Sequence, residues 1–189
     1  GTSIMPAYLR NYPIDPRFGL PILDPTARIS SPFGCREGSR VDPRCPSGKR
    51  MHNGIDVIAD DRTCLMQSIY GGVVEEASLP NQNYTPGFSD YGKVVVVKLD
   101  CGLWTLHAHC SEILVSTGTR VEKGTPIARM GKTRGDARNP NALFGVSTAH
   151  LHFEISVKPY PMSPMVDRPN PIKVLEAGPD FLGNSHRRN

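Results

Sequence analysis

Apolar residues in this chain recur at every second position rather than at helical spacing. Between residues 149 and 157, Leu151, Phe153 and Ile155 alternate with His150, His152 and Glu154. Successive side chains of a strand point to opposite faces, so the first three share an apolar face and the last three a polar one. Residues 93–99 form a valine-rich run, and residues 103–109 follow it across Asp100-Cys-Gly102. Two such runs about a tight turn predict a β-hairpin. Ile29-Ser-Ser-Pro-Phe-Gly34 reads as a strand entering a turn. Residues 54–74 hold short β-branched runs broken by Asp60-Asp61 and Gly71-Gly72. Residues 121–130 offer a further strand, with Gly118 and Gly124 as turn points. The stretches 35–50, 80–92 and 131–146 are rich in glycine, proline, asparagine or other polar residues, the composition of loops.

No stretch sustains a long 3.6-residue apolar period, and no repeat recurs at a fixed interval. The pattern predicts a mainly β protein of short strands and long loops. Residues 1–28 are proline-rich without periodicity and predict an extended arm or linker. Residues 29–158 carry the strand pattern and predict the folded domain. Prolines recur after Pro159, so residues 159–189 read as a C-terminal extension.

A length of 189 residues favours one domain with a core of its own. The net charge is +4, from 22 basic and 18 acidic residues, with no dense Lys/Arg run. That balance argues against a nucleic-acid partner. No apolar run is long enough to cross a bilayer. Gly1-Thr2-Ser3 has the look of a cloning scar, so a native N-terminus with any export signal is expected upstream. The five cysteines lack the CxxC spacing of zinc ribbons and redox motifs. Cys35 and Cys45 flank a stretch rich in Gly, Ser, Pro and Arg and read as a local disulfide, which implies an oxidising compartment. The odd count leaves at least one thiol unpaired.

The chemistry is concentrated in histidine. Five of the six fall in three short clusters, His52-Asn-Gly-Ile-Asp56, His107-Ala-His109 and His150-Leu-His152-Phe-Glu154. The sixth, His186, sits in a polar tail and reads as a solvated surface residue. The strand rule puts His150, His152 and Glu154 on one face, and puts His107 on the same face as His109. His52 and Asp56, four apart, suit one face of a strand, since Gly54 and Val57-Ile58 argue against a helix. Imidazole and carboxylate are typical zinc ligands, and three protein ligands with an open position mark a catalytic zinc. Imidazoles left over beside such a site suit proton transfer and stabilisation of a developing oxyanion. Spacing alone does not say which histidines bind the metal.

At these residues the chain resembles the LytM-type, lysostaphin-like (M23) zinc metallopeptidases, a family of bacterial cell-wall endopeptidases. The matching pieces occur in the family's order: Ser30-Ser-Pro-Phe-Gly-Cys-Arg36, Met51-His-Asn-Gly-Ile-Asp56, Gly71-Gly-Val-Val74, Thr105-Leu-His-Ala-His109, Gly118-Thr-Arg-Val-Glu-Lys-Gly124 and Thr148-Ala-His-Leu-His-Phe-Glu154. The resemblance covers about residues 29–158. It implies a compact antiparallel β-sheet metallopeptidase domain with one zinc in a groove on the sheet. By motif it implies His52, Asp56 and His152 as zinc ligands, and His109 and His150 as the pair that activates the water and stabilises the tetrahedral intermediate. It also implies peptidoglycan peptides as substrate and an extracytoplasmic setting. His107 and Arg36 remain candidates for a place beside the ligands or against substrate.

The chain departs from the family pattern in four places. His107 stands where many members have Tyr, Cys110 replaces an apolar residue, Ala149 replaces a small Gly, and the segment 132–147 is longer than the usual turn. That segment carries Arg134, Asp136, Arg138, Asn139 and Asn141, and reads as a groove wall that selects the stem peptide. Two other readings compete with an active endopeptidase. One is a regulatory or binding module of a cell-envelope machine with an occluded groove. The other is a zinc carboxypeptidase.

Overall fold

Strands form nearly everywhere the alternation predicts them. The structure is a computed structural model that describes residues 6–38, 42–78, 91–134, 144–160 and 167–183. Its strands are β1 (Arg28–Ser31), β2 (Gly34–Glu37), β3 (Lys49–His52), β4 (Ile55–Ile58), β5 (Leu65–Gln67), β6 (Gly72–Ser78), β7 (Val94–Leu99), β8 (Trp104–Ala108), β9 (Glu112–Ile113), β10 (Arg120–Val121), β11 (Pro126–Arg129), β12 (Gly131–Arg134) and β13 (Phe144–Ser156). The fold is mainly β, built on an eight-stranded antiparallel sheet in the order β1-β4-β13-β8-β7-β6-β10, with β12 paired to β13. Smaller sheets are formed by β5-β11-β9 and by β2-β3. The predicted hairpin is β7 and β8, paired from Val95↔His107 to Lys98↔Trp104.

β13 runs through the centre of the sheet, flanked by β4 and β8. Leu151, Phe153 and Ile155 lie fully buried in the main core with Val57, Val95 and Val97. Val94 and Val96 pack on the opposite face with Trp104, Leu106, Ala108 and Tyr160. Both faces of β7 are therefore covered, which is why its sequence is a continuous valine run rather than an alternation.

The flanks differ from expectation. Where it is described, the stretch 1–28 is not a free arm. Tyr8, Leu9, Phe18, Leu20, Ile22 and Ala27 are buried in the main core. The Tyr8 hydroxyl donates to the Ile22 carbonyl at 2.9 Å, and the Asp15 amide donates to the Leu175 carbonyl at 2.9 Å. Proline removes periodicity from such a segment without preventing its burial. The C-terminal flank contributes α1 (Pro171–Ala177), which buries Ile172, Val174 and Leu175. The side chain of Asn170 caps it by accepting from the Ile172 amide, Pro171 opens it, and Gly178 follows it. Arg17 ties the two flanks together, reaching Asp15 at 2.7 Å and Asp180 at 3.0 Å.

Two predicted loops are partly strand. The ends of 35–50 pair as β2 and β3, from Gly34↔His52 to Glu37↔Lys49, and Cys35 and Cys45 are linked. The ends of 131–146 pair as β12 and the start of β13, with Arg134↔Phe144 in register. The loop predicted at 80–92 falls almost wholly outside the described residues. Cys64, Cys101 and Cys110 are free thiols. Among the described residues no helix is long and apolar enough to cross a membrane.

Candidate metal centre

Asp56 on β4 is the direct cross-strand partner of His152 on β13, so their side chains share a face. His52 ends β3 and reaches the same place through the two-residue link Asn53-Gly54. That link runs tightly against β13, because a Cβ on Gly54 would stand 2.3 Å from the Phe153 carbonyl oxygen. The glycine between His52 and Asp56 thus lets β3 and β4 close onto the strand that carries His152.

Three donor atoms converge there. His52 Nε2 lies 3.2 Å from Asp56 Oδ1 and 3.3 Å from His152 Nδ1, and His152 Nδ1 lies 2.9 Å from Asp56 Oδ1. Ligands held at about 2.0–2.1 Å from a tetrahedral zinc stand about 3.3 Å apart, so the spacing fits that ion. Each histidine's other nitrogen is engaged. His52 Nδ1 donates to the Pro32 carbonyl at 2.7 Å, and His152 Nε2 donates to Glu154 Oε2 at 2.7 Å. Those bonds turn the lone pairs of His52 Nε2 and His152 Nδ1 toward the shared point. The donor set, its geometry and its tautomers fit a divalent metal, with no thiolate among the described residues of the group.

Electrostatics follow the same pattern. Burial pushes the Asp56 carboxyl up, but hydrogen bonds from His152 and His52 outweigh it and hold the group well below the usual carboxylate range. Burial works against a charge on His152, yet Asp56 and Glu154 raise it to about 9. A divalent cation would replace the protons that this concentration of negative charge attracts. Arg36 stands 3.6 Å from Asp56 Oδ2, the oxygen facing away from the histidines, and also donates to the Ser31 hydroxyl at 2.6 Å.

Two more imidazoles stand beside the three donors. The His109 and His150 rings are 4.7 Å apart, and His109 lies 6.2 Å from the His152 ring. His109 Nδ1 donates to the Thr133 carbonyl at 2.8 Å, and His150 Nδ1 donates to the Thr148 carbonyl at 2.9 Å. In the neutral tautomer each leaves Nε2 as an acceptor. Burial lowers the His109 pKa to about 4, against the smaller pull of the Thr133 carbonyl.

His107 is not with them. It pairs with Phe153, on the core face of the sheet, and meets that ring edge-on at 5.1 Å. The rule that placed His107 and His109 on one face fails because His109 lies just beyond β8 with φ at 64°, which swings its side chain round to the metal side. His107 is fully buried, and neither ring nitrogen has a hydrogen-bond partner. Burial lowers its pKa to about 3, only slightly opposed by the Gln67 backbone. The segment 132–147 begins as β12, whose Thr133 carbonyl anchors His109. Arg134 is exposed at its end, while Asp136, Arg138, Asn139 and Asn141 lie outside the described residues, as does His186.

Sequence reading missed the support beneath His152. Glu154 is fully buried. Its Oε2 also accepts from the Tyr91 hydroxyl, and its Oε1 accepts from the Tyr160 hydroxyl at 3.0 Å and Arg168 Nε at 3.1 Å. Burial raises the Glu154 pKa, but His152 and Arg168 outweigh it and hold it at about 2. Tyr91 stacks on the His152 ring at 5.3 Å, and its carbonyl accepts from the His109 amide at 2.8 Å. Glu154 was legible as a polar residue on the histidine face. Tyr91, Tyr160 and Arg168 carried no spacing signal.

The model of peptidase family M23 matches residues 50–164. The peptidoglycan DD-endopeptidase ShyA of Vibrio cholerae is 31% identical over 165 residues, covering 87% of this chain and 31% of its own length. The DD-carboxypeptidase/endopeptidase Mpg of Neisseria meningitidis is 30% identical over 138 residues, covering 73% of this chain and 26% of its own. The catalytic domain of lysostaphin from Staphylococcus simulans shares the fold, with a TM-score of 0.57 at 18% identity over 79% of this chain and 92% of that domain. The chain spans about a quarter to a third of the length of these curated relatives.

Proposed function

The chain belongs to peptidase family M23, and we propose that it is a zinc-dependent endopeptidase that hydrolyses peptide cross-links or stem peptides of bacterial peptidoglycan. The observation that carries this reading is the convergence of His52 Nε2, Asp56 Oδ1 and His152 Nδ1 within 3.3 Å of one another, with His109 and His150 beside them. When bound, zinc would supply a water whose pKa is lowered toward about 7 and a Lewis acid for the scissile carbonyl.

The protein's own part is proton handling and orientation. Thr133 and Thr148 hold the Nδ1 protons of His109 and His150, so each presents Nε2 to the reacting groups. One Nε2 takes the proton of the attacking water and returns it to the leaving amine. The imidazolium so formed donates to the developing oxyanion before it hands that proton on, while the other ring, neutral, accepts from the water through its own Nε2. Arg36 holds Asp56 by its far oxygen and keeps Oδ1 turned inward. The ShyA and Mpg relationships support peptidoglycan as the substrate. Those relationships and the Cys35–Cys45 link support an extracytoplasmic location.

The test is mass spectrometry of purified cross-linked muropeptides after incubation with the zinc-loaded protein. Cleavage of a dimer into two fragments is expected, and intact substrate with a zinc-replete protein would overturn the reading. Mpg's description as carboxypeptidase and endopeptidase favours testing a second activity. Loss of a single terminal residue from a monomeric stem would identify it.

A further inference from the structure

Arg168 lies beyond the residues matched by the family model, yet it sits under the metal centre. It is 3% exposed. Its Nε donates to Glu154 Oε1 at 3.1 Å and its Nη1 to the Ser156 hydroxyl at 3.3 Å, while its guanidinium lies over the Tyr160 ring at 4.1 Å. The Asp167 carbonyl beside it accepts from the Val157 amide at 3.0 Å, so the segment that delivers Arg168 is stitched to the end of β13.

We propose that Arg168 is a positioning residue for the metal site, acting through Glu154 on His152; the inference rests on the metal-binding reading given above. A guanidinium has donors only. Arg168 and the Tyr160 hydroxyl both donate to Oε1, which fixes that oxygen as an acceptor. The Tyr91 hydroxyl donates to Oε2 and Arg168 pairs with the group as a cation, so Glu154 meets His152 Nε2 as a carboxylate acceptor and His152 is the donor in that bond. With Nε2 keeping its proton, Nδ1, which faces His52 and Asp56, is the nitrogen that gives its proton up to a metal. The chain of control runs from Arg168 to Glu154 to His152 Nε2 and ends at the ligand atom Nδ1. Partners of this outer kind typically set metal affinity by about 10–100-fold. The C-terminal flank thereby contributes to the site rather than merely closing the core.

The test is zinc affinity by chelator competition on purified full-length protein, with folding followed separately by thermal unfolding. Wild type should bind one zinc; failure of wild type to bind would overturn the metal-site reading itself. Arg168→Gln should bind about 10–100-fold more weakly, and Arg168→Lys, which keeps the cation, should recover part of the loss. The same Arg168 changes are then made in a Glu154→Gln background. An effect transmitted through Glu154 shrinks to within about threefold there, because the pair forms a coupled cycle. A merely structural role would lower the melting temperature equally in both backgrounds without this loss of coupling. Should Arg168→Gln not fold, Arg168→Lys carries the same comparison, with a weakening of at least about threefold expected in the native background only. Wild-type zinc affinity in the Arg168 variants, or an equal weakening in both backgrounds, would overturn the proposal.

Discussion

Gly54→Ala isolates the close approach that brings β3 and β4 against the strand bearing His152. An added Cβ would meet the Phe153 carbonyl oxygen at 2.3 Å, the Phe153 carbonyl carbon at 3.0 Å and Glu154 Cγ at 2.9 Å. The first contact falls about 1 Å short of the 3.4 Å at which ordinary packing begins. The obstacle is backbone of the central strand and cannot rotate aside, so the His52–Asp56 link must move instead. Overpacking of this kind costs about 1–3 kcal/mol. For a chain of this size that is a fall in melting temperature of about 2–12 °C. A shift near 1 Å also exceeds the roughly 0.5 Å tolerance of a working constellation, while the donors now stand only 2.9–3.3 Å apart. Zinc occupancy should therefore fall along with stability. Gly118→Ala is the control. Its φ is +89° with nothing within 4 Å of the added Cβ, so it should cost about 1–2 kcal/mol of strain and leave zinc intact. Calorimetry with elemental analysis reads both quantities. A Gly54→Ala protein with the wild-type melting temperature and a full complement of zinc would refute the packing argument.

His52→Ala, Asp56→Ala and His152→Ala should each deplete zinc, whereas His109→Ala and His150→Ala should retain it and lose about 10²–10⁴-fold in turnover; elemental analysis and muropeptide cleavage separate the two classes. Replacing Cys35 and Cys45 together by serine reopens a link of sequence separation 10 and should cost about 3 kcal/mol in the chain-entropy model, so an unchanged unfolding midpoint would count against it. His107→Phe should leave zinc and activity unchanged while flattening acid destabilisation. The folded pKa of His107 is depressed to about 3 against about 6.5 unfolded, so as pH falls through this window the unfolded state takes up the proton first. Stability is then lost at up to about 1.4 kcal/mol per pH unit. Denaturant midpoints for the variant that track wild type between those pH values would rule that out.

Local periodicity made most of the sheet legible. A strand's two faces are set by the alternation of its own side chains, so β13 could be read with its apolar and polar faces assigned. The limits lie where local sequence stops deciding. The described part of the N-terminal stretch, residues 6–27, lacks periodicity because it holds only one short 3-10 turn and no strand, yet Leu9 and Ile22 are fully buried. α1 carries a capping Asn170, an opening Pro171 and a following Gly178, but at seven residues it spans too few turns for an apolar stripe to stand out. The pairing of β12 with β13 was hidden because Gly131 to Arg134 reads as polar turn sequence.

The candidate site divides along the same line. His150, His152 and Glu154 could be grouped by alternation within one strand, and His52 with Asp56 by spacing across one short link. His107 and His109 could not, because the rule assumes that the strand continues through both residues. The positive φ at His109 ends β8 between them and sends one ring to the core and the other to the metal side. Arg168 is the harder case. It stands 14 residues beyond Glu154, in a segment with no motif, and its function exists only through a buried hydrogen bond. A buried carboxylate demands donors, and Glu154 on the histidine face of a central strand already implied that something must supply them. The sequence pattern raised that demand, and segments distant along the chain answered it: Tyr91 ahead of β7, and Tyr160 and Arg168 where the chain returns across the end of β13.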